Sequence, residues 1–204
     1  MKKLAVLGAS GHGKVVADLA EVTGWNEVVF FDDSHHMRID DGRWPILGDS
    51  EQLCSTLAEY DGVIVAIGDN NVRFAKLELL KELNAPLVSL IHPGATVSAY
   101  AQIGVGCVVM AGAIINIDVV VSDGVIINTA SSVDHDCILG TCVHICPGVN
   151  LAGSVIINER SWIGIGASVR QSIFIGKDVL VGAGAAVVTN LPDSVTAVGV
   201  PARF

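Results

Sequence analysis

The second half of the sequence repeats every six residues. Sixteen consecutive positions at this spacing hold Ile, Val or Leu, with no insertion between them. These positions are Val97, Ile103, Val109, Ile115, Val121, Ile127, Val133, Leu139, Ile145, Leu151, Ile157, Ile163, Val169, Ile175, Val181 and Val187. A period of six fits neither a helix, with its period of 3.6, nor an ordinary strand, with its period of two. The chain must therefore turn once per hexad and stack its large residue inward.

A column of smaller residues supports this interpretation. Small or β-branched residues stand two positions before the large ones, as at Ala101, Cys107 and Cys137, and Gly or Asn often follows one or three positions after, as at Gly124. Each hexad is thus predicted to be one short strand and one tight turn. The pattern resembles the left-handed parallel β-helix of hexapeptide-repeat proteins, in which three hexads form one triangular coil, so sixteen hexads make about five coils.

Residues three hexads apart are expected to form columns along the outside of such a coil. Two columns just before the inward positions are largely apolar: Val120, Ile138, Ile156 and Phe174 in one, and Val108, Ile126, His144, Trp162 and Leu180 in the other. Exposed apolar columns predict packing against other copies of the chain, and a three-sided prism favours a homotrimer.

The first 94 residues show alternating strand and helix patterns instead. Strands are predicted at residues 4–7, 28–31 and 63–67, and helices at residues 14–22 and 71–83, the second with apolar residues at Val72, Ala75, Leu79 and Leu83. This alternation is typical of a Rossmann-like parallel sheet. We therefore predict an α/β domain over residues 1–94 and a β-helix domain over residues 95–204.

Composition excludes several classes of protein. Hydrophobic residues make up 51% of the chain, but they occur in short runs that are too brief for a membrane span or a signal peptide. The formal net charge of −9 argues against a nucleic-acid-binding surface. Five cysteines, an odd number, argue against a disulfide framework, and their spacing does not match structural zinc sites, so no metal is expected. These features favour a cytoplasmic protein that has no membrane partner.

Three segments of the N-terminal domain are candidates for ligand binding. The glycine-rich turn Gly8–Gly13 follows a strand and opens a helix, so its backbone N–H groups are suited to an anion such as a pyrophosphate, although its spacing is that of neither a dinucleotide fold nor a P-loop. Asp32, Asp33 and Gly68 follow later strands on the same carboxyl edge, where parallel sheets bind ligands. The alternatives are a tight strand-to-helix turn and solvated loops.

One hexad of the coil carries an imidazole between two carboxylates, in the segment Val133-Asp134-His135-Asp136-Cys137. A carboxylate beside a histidine holds one tautomer and raises its basicity, as a general base requires. His144 follows nine positions later, half a coil round. A surface or structural role is the alternative for each histidine, and the pair in one coil favours catalysis.

Six motifs together resemble the bacterial nucleotide-sugar acetyltransferases. They are Gly8-Ala9-Ser10-Gly11-His12-Gly13, Phe31-Asp32-Asp33, Val65-Ala66-Ile67-Gly68-Asp69-Asn70-Asn71-Val72-Arg73, Leu90-Ile91-His92-Pro93, Asn128-Thr129-Ala130-Ser131-Ser132-Val133-Asp134-His135-Asp136-Cys137 and Gly199-Val200-Pro201-Ala202-Arg203. The most similar type is the UDP-4-amino-sugar N-acetyltransferase of bacillosamine synthesis, and sialic acid O-acetyltransferases are near relatives. The resemblance covers essentially the whole chain.

This resemblance implies an acetyl-CoA-dependent homotrimer with active sites between subunits. It implies that His135 is the base and that Asp136, in place of the family's frequent Glu, raises its basicity. It implies that His144, Ile165 and Ala183 bind acetyl-CoA, and that the UDP-amino-sugar is bound by Ser10, Gly11, His12, Asp32, Asp33 and Gly68. The spacing of Ile165 and Ala183, which is three hexads or one full coil, independently suits an extended pantetheine.

The function implied is N-acetylation of the 4-amino group of a UDP-4-amino-4,6-dideoxy sugar by direct attack on the thioester. A covalent relay through Cys137, Cys142 or Cys146 is disfavoured, because Cys137 belongs to the small inward column. O-acetylation of a sialic acid or related sugar is an alternative, since the same base can deprotonate a hydroxyl. A non-catalytic β-helix scaffold that binds sugar nucleotides is an alternative of another class.

Overall fold

The N-terminal part of the protein, in a computed structural model that describes residues 1–34 and 43–204, is built on one parallel sheet. Its strands are β1 (Lys3–Leu7), β2 (Glu27–Phe31), β3 (Ile46–Gly48) and β4 (Gly62–Val65), in the order β3–β2–β1–β4. The helices are α1 (Gly11–Val22), α2 (Ser50–Ser55) and α3 (Asn70–Glu82), and a short 3-10 helix spans Leu57–Glu59. The predicted Rossmann-like sheet is confirmed.

The central strand β1 is buried on both faces of the sheet. Leu4 and Val6 pack with α1, whereas Ala5 and Leu7 pack into a second cluster on the opposite face. Helix α1 begins directly at the end of the glycine-rich turn, where a Cβ on Gly13 would collide with the carbonyl of Gly8. The turn needs glycine there because the start of the helix lies against the end of the strand.

The rest of the chain coils into a left-handed β-helix of two-residue strands on three faces. The seven-strand face holds β5 (Leu90–Ile91), β8 (Val108–Val109), β11 (Ile126–Ile127), β14 (His144–Ile145), β17 (Trp162–Ile163), β20 (Leu180–Val181) and β22 (Thr196–Ala197). The six-strand face holds β6 (Thr96–Val97), β9 (Ile114–Ile115), β12 (Ser132–Val133), β15 (Asn150–Leu151), β18 (Ser168–Val169) and β21 (Ala186–Val187). The five-strand face holds β7 (Gln102–Ile103), β10 (Val120–Val121), β13 (Ile138–Leu139), β16 (Ile156–Ile157) and β19 (Phe174–Ile175).

The register follows the hexad pattern. Parallel neighbours within each of the three faces are three hexads apart through most of the coil, so that His144 lies between Ile126 and Trp162. The inward residues from Val109 to Val187 at intervals of six are at most 3% exposed. The predicted coil and its inward column are therefore confirmed. The first coil strand, Leu90–Ile91, pairs with Val108–Val109 and so lies before residue 94; the division into two domains there stays a prediction.

Each coil turns at three corners. From Gly106 to Gly184, every sixth residue has a positive φ between 54° and 70°, which gives the corners the pattern of type II turns. We name the corners after one coil: the His135 corner (residues 134–137), the Cys142 corner (140–143) and the Pro147 corner (146–149), each with its equivalents in the coils before and after. Half or more of the positive-φ positions are not glycine, and Asp136 is one of them, with a φ of 59°.

The N-terminal domain covers part of the seven-strand face. Val108 and Ile126 are each 1% exposed and His144 is 5% exposed. Val108 belongs to the same core cluster as Val16 and Ala17 of α1. The prediction that this column packs against another copy is therefore wrong for these three residues, because they are already buried within one chain, with Val108 against α1 and His144 beside His12. The five-strand face keeps exposed apolar residues, with Ile138 at 43% and Phe174 at 42%.

Helix α3 also differs from its predicted packing. Val72, Leu79 and Leu83, expected on its apolar face, are 45%, 39% and 44% exposed. The residues buried are instead Asn70, Arg73, Leu77 and Leu80. The expected face was wrong because two polar side chains, Asn70 and Arg73, hydrogen-bond to backbone carbonyl groups of the coil and are buried for that reason.

Candidate active site

His135 lies at a corner of the β-helix, with its imidazole held by the next residue. His135 and Asp136 are the two central residues of the turn, and Nδ1 of His135 lies 2.6 Å from Oδ2 of Asp136. An ionised carboxylate only accepts hydrogen bonds, so Nδ1 carries the proton and Nε2 presents a lone pair. The His135 side chain is 54% exposed, which leaves that lone pair accessible.

The backbone on either side of this turn is fixed by further hydrogen bonds. Oδ1 of Asp134 accepts from the backbone N–H of His135 at 2.8 Å and from Nδ2 of Asn116 at 2.7 Å. Asp136 occupies the left-handed position that each hexad requires, a conformation that Asp and Asn adopt more readily than other side chains. The corner geometry therefore sets the direction in which the Asp136 carboxylate approaches the ring.

The carboxylates make this imidazole more basic. The hydrogen bond to Asp136, followed by the charge of Asp134, raises the pKa of His135 above its usual value, and both outweigh desolvation. A general base gains from a raised pKa as long as the operating pH keeps it neutral.

The imidazole of His135 lies over the glycine of the next coil. A Cβ added to Gly153 would be 2.5 Å from Cε1 and 2.6 Å from Nε2 of His135. Gly153 therefore leaves the space that the ring occupies. Sequence reasoning missed this residue, although its position, one full coil after His135, identifies it as the neighbour in the column.

A second group of predicted residues meets in a cavity of about 360 Å³ between the N-terminal α/β part and the coil. Gly11, His12 and Gly68 contribute from the N-terminal domain, and His144 contributes from the seven-strand face. The remaining lining residues are Val15, Asn128, Cys146, Pro147 and Trp162. The ring of His144 lies 4.1 Å from that of Trp162 and 6.3 Å from that of His12, centroid to centroid. The structure thus brings together residues that the sequence assigned separately to acetyl-CoA and to the sugar nucleotide.

Both histidines of this cavity are held neutral. Burial and the nearby guanidinium of Arg73 lower the pKa of His12 to about 4. Burial, Arg73 and His12 lower the pKa of His144 to about 3, against a smaller opposing effect of the Gly68 carbonyl. Among the described residues, Nε2 of His12 and Nδ1 of His144 are buried without a hydrogen bond of standard geometry. Both atoms face a cavity, where water or a polar group of a ligand can bind to them.

The Pro147 corner continues from this cavity along the coil. Pro147, Ile165 and Ala183 stand on it in three successive coils, and backbone hydrogen bonds join the neighbouring coils at Pro147 and at Ile165. Ile165 is 57% exposed and Ala183 is also exposed. The column is thus a narrow apolar strip that leads away from His144.

Residues predicted to bind the sugar nucleotide line a cavity of about 310 Å³ at the carboxyl edge of the sheet. Ser10, Asp32 and Asp33 contribute, together with the residues Leu7, Gly8, Ser34, Ile67 and Val72. Asp32 is 7% exposed, and its carboxylate accepts from the N–H of Ala9 at 2.7 Å and from Ser34. Asp32 therefore shapes the glycine-rich turn from inside.

Asp33 is bound by a lysine that sequence reasoning missed. Oδ2 of Asp33 lies 2.7 Å from Nζ of Lys76, and Oδ1 accepts from the N–H of Ser50 at 2.9 Å. Desolvation alone would raise the pKa of Asp33, but the hydrogen bonds from Lys76 and Ser50 lower it to about 2. A carboxylate and an ammonium group thus stand together at the rim of the cavity.

The two histidines predicted to act together lie apart within one chain. His135 is at the corner between the six- and five-strand faces, whereas His144 is on the seven-strand face. The assigned residues therefore form two groups, one around His135 and one around His12 and His144.

The described residues hold no cluster of three or more His, Cys, Asp or Glu side chains arranged for a metal ion. In the same residues no helix has the length and hydrophobicity needed to cross a bilayer. The five cysteines are free thiols, and burial raises the pKa of Cys146, which lines the His144 cavity, to about 12. Such a thiol is a poor nucleophile at neutral pH.

Comparison with known proteins identifies the family. Residues 3–80 match the family described as the PglD N-terminal domain. The acetyltransferase domain of PglB from Neisseria gonorrhoeae FA1090, solved in complex with acetyl coenzyme A, is 46% identical with a TM-score of 0.93, over 99% of this chain and 98% of that chain. The chain belongs to the bacterial nucleotide-sugar acetyltransferase family. The resemblance inferred from the six motifs is confirmed.

Two curated relatives match this chain over part of their length. GDP-perosamine N-acetyltransferase of Escherichia coli O157:H7 is 29% identical over 145 residues, which are 68% of this chain and 65% of that protein. UDP-N-acetylbacillosamine N-acetyltransferase of Bacillus subtilis is 37% identical over 110 residues, which are 53% of this chain and 51% of that protein. The chain thus spans between half and two thirds of these relatives.

Several residues of this candidate site escaped sequence reasoning. Asn128 and Trp162 line the His144 cavity, and Nδ2 of Asn128 lies 3.3 Å from Nε2 of His144. Trp162 was visible as the neighbour of His144 in the next coil, but the apolar column was interpreted as a contact with another chain. Asn128 lies one coil before Cys146 and was quoted only as part of a motif. Arg73 likewise ended a motif without an assigned role, and Lys76 carried no signal beyond a charge on a helix.

Proposed function

We propose that this protein is an acetyl-CoA-dependent N-acetyltransferase that acetylates the 4-amino group of a UDP-linked 4-amino-4,6-dideoxy sugar. The observation that carries the proposal is the imidazole of His135, which is bound at Nδ1 by Asp136 and exposed at Nε2. Family membership supplies the reaction class, since the relatives named above are N-acetyltransferases of amino sugars.

In the proposed reaction, Nε2 of His135 accepts the proton of the sugar amine as its nitrogen attacks the thioester carbon. The new bond is C–N and the bond that breaks is C–S. The imidazolium of His135 then returns the proton to the departing CoA sulfur, so the enzyme ends as it began. Asp136 stabilises the imidazolium through the hydrogen bond at Nδ1, and no covalent enzyme intermediate is needed.

The separation of His135 from His144 in one chain supports active sites between subunits of a homotrimer. In this proposal, the Pro147 corner of one subunit, with Ile165 and Ala183, binds pantetheine, and His144 lies beside the thioester. The His135 corner of a neighbouring subunit then supplies the base. The exposed apolar residues Ile138 and Phe174 supply a face for that assembly.

The sugar nucleotide is proposed to bind in the cavity of Ser10, Asp32 and Asp33, and its sugar to extend past Gly11 toward His12 and Gly68. UDP is favoured over GDP because the B. subtilis relative, named for a UDP-linked sugar, is 37% identical, whereas the E. coli relative, named for a GDP-linked sugar, is 29% identical. We place the protein in the cytoplasm, where five unpaired thiols are stable.

The deciding experiment measures release of CoA thiol with acetyl-CoA and a panel of UDP- and GDP-linked 4-amino sugars, CMP-sialate and free sialate. UDP-amino-sugars should give the highest kcat/KM. His135→Ala should reduce kcat/KM about 10²- to 10⁴-fold while CoA still binds. Turnover of the variant near that of the wild type would refute the base assignment, and sugar-nucleotide binding without thiol release in the wild type would indicate a scaffold.

A further inference from the structure

Arg73 is the most deeply buried charged side chain among the described residues, with 1% of its surface exposed. Its Nε donates to the carbonyl of Gly124 at 2.8 Å. Nη1 donates to the carbonyls of Ile67 and Gly68 at 2.8 and 3.0 Å, and Nη2 donates to Oδ1 of Asn70 and the carbonyl of Cys142, both at 2.7 Å. These five bonds use all five donors of a guanidinium group.

One side of this network belongs to the β-helix. Gly124 and Cys142 are equivalent residues of successive coils at the Cys142 corner, and Asn70 donates through Nδ2 to the carbonyls of Arg160 and Ser161, one coil further. At the other end of the helix face, Leu77 lies against Gly106 and Gly124. The face of α3 thus follows four coils in order.

The repeat distances of the two elements explain this fit. One turn of an α-helix rises about 5.4 Å, and neighbouring coils are about 4.8 Å apart. Each turn of α3 therefore meets one coil, which allows Asn70, Arg73 and Leu77 to contact successive coils without bending the helix.

The other side of the network belongs to the ligand sites. The carbonyls of Ile67 and Gly68 lie in the loop between β4 and α3. Ile67 lines the nucleotide cavity and Gly68 lines the His144 cavity. Arg73 therefore connects a loop that touches both cavities to the backbone of the coil that carries His144.

We propose that Arg73 is a positioning residue: its guanidinium holds the Ile67–Gly68 loop at a fixed distance from the coil, so that a sugar bound to the N-terminal domain reaches the acetyl group bound along the coil. Burying a guanidinium whose hydrogen-bond acceptors are all uncharged costs free energy, and hydrophobic residues would stabilise the interface at lower cost. The presence of Arg73 is explained if its five donors fix the position of the loop relative to the coil. This inference rests on the proposed function for its consequence in catalysis, but not for the loop contact.

The test compares Arg73→Lys with Leu77→Ala. Arg73→Lys keeps the charge but offers three donors in place of five, so it loosens the loop. Leu77→Ala weakens the same helix face by making a cavity at Gly106 and Gly124, away from the loop, and serves as the matched control. Hydrogen exchange of a peptide that spans residues 66–72 is measured in the ligand-free proteins, together with Tm, kcat and both KM values.

In Arg73→Lys, the exchange of this peptide should become about tenfold faster, and the KM for the UDP-amino-sugar should rise about five- to tenfold. The KM for acetyl-CoA should change less than about twofold, because Ile165 and Ala183 belong to the coil. Leu77→Ala should lower Tm and leave both KM values unchanged. If Arg73→Lys fails to fold, Asn70→Ala, which removes one acceptor of Arg73, should shift exchange and KM in the same direction by a smaller factor.

Unchanged exchange in the loop, or an equal rise of the sugar-nucleotide KM in Leu77→Ala, would overturn the inference. Faster exchange with an unchanged sugar-nucleotide KM would also overturn it, because the loop would then not position substrate. If the wild type transfers no acetyl group while the loop exchanges faster in Arg73→Lys, the proposed function fails and the positioning of the loop by Arg73 stands.

Discussion

Replacing Gly153 with Ala should disable the proposed base without damaging the fold. The new Cβ would lie 2.5 Å from Cε1 of His135. Carbon atoms pack at about 3.5–4.0 Å, so the ring must move by about 1 Å. That shift lengthens the 2.6 Å bond between Nδ1 and Asp136 and displaces Nε2 from its working position. A misplacement of this size costs about 100-fold in rate.

Stability should hardly change in Gly153→Ala. The φ of Gly153 lies outside the left-handed region, and Ala already occupies the equivalent turn position at Ala111 and Ala183. The colliding atoms belong to the end of a half-exposed side chain that can swing into solvent. Alanine also has fewer unfolded conformations than glycine, which contributes about 0.4–1 kcal/mol in favour of the fold where the native backbone accepts it.

The assay measures kcat/KM by CoA thiol release, and thermal unfolding checks the fold. The double variant with His135→Ala isolates the mechanism: if Gly153 acts only through the imidazole, Gly153→Ala should have no further effect once that ring is gone. A kcat/KM of Gly153→Ala within about threefold of the wild-type value would refute the reasoning, since a misplacement of this size should cost far more. A further large loss in the His135→Ala background would show that Gly153 has another role.

Two more predictions concern the base and the assembly. Asp136→Asn keeps an acceptor for Nδ1–H and tolerates the left-handed φ, but it removes the carboxylate that raises the pKa of His135. The acid limb of the kcat/KM profile should therefore move to lower pH. The plateau of kcat/KM should fall by on the order of tenfold or more. An unmoved acid limb would show that Asp136 does not set the basicity of His135. Ile138→Asp puts a charge on the exposed apolar five-strand face, so light scattering should detect a loss of the proposed trimer, accompanied by loss of activity. A trimer that survives would place the interface elsewhere.

The coil was predictable in detail because its signal is redundant. Sixteen hexads without an insertion determine the register, and any single misread residue is corrected by its neighbours in the coils before and after. The packing of Val108 was not predictable in the same way, since an apolar column looks the same whether another chain or the N-terminal part of the same chain covers it.

The prediction of the buried face of α3 failed for a related reason. Apolar periodicity chose Val72 and Leu79 for the buried face, whereas the face actually buried carries Asn70 and Arg73. Their burial depends on carbonyl groups supplied by residues 51 to 91 positions away along the chain, which no local pattern contains. Likewise, the sequence suggested the candidate site residues one by one, but only the geometry of the coil separates His135, at a corner, from His144, on the seven-strand face.

The histidines of the proposed site are tuned in opposite directions, which separates their roles. The pKa values of His12 and His144, about 4 and about 3, make both imidazoles weak bases that remain neutral wherever the sugar amine is a useful nucleophile. They can therefore donate and accept hydrogen bonds without competing for the amine proton. His135 has carboxylates in place of a guanidinium nearby, and its pKa is raised. Environments that separate the pKa values of titratable groups mark which one transfers the proton. Among these three histidines, only His135 should accordingly contribute to the acid limb of the activity profile.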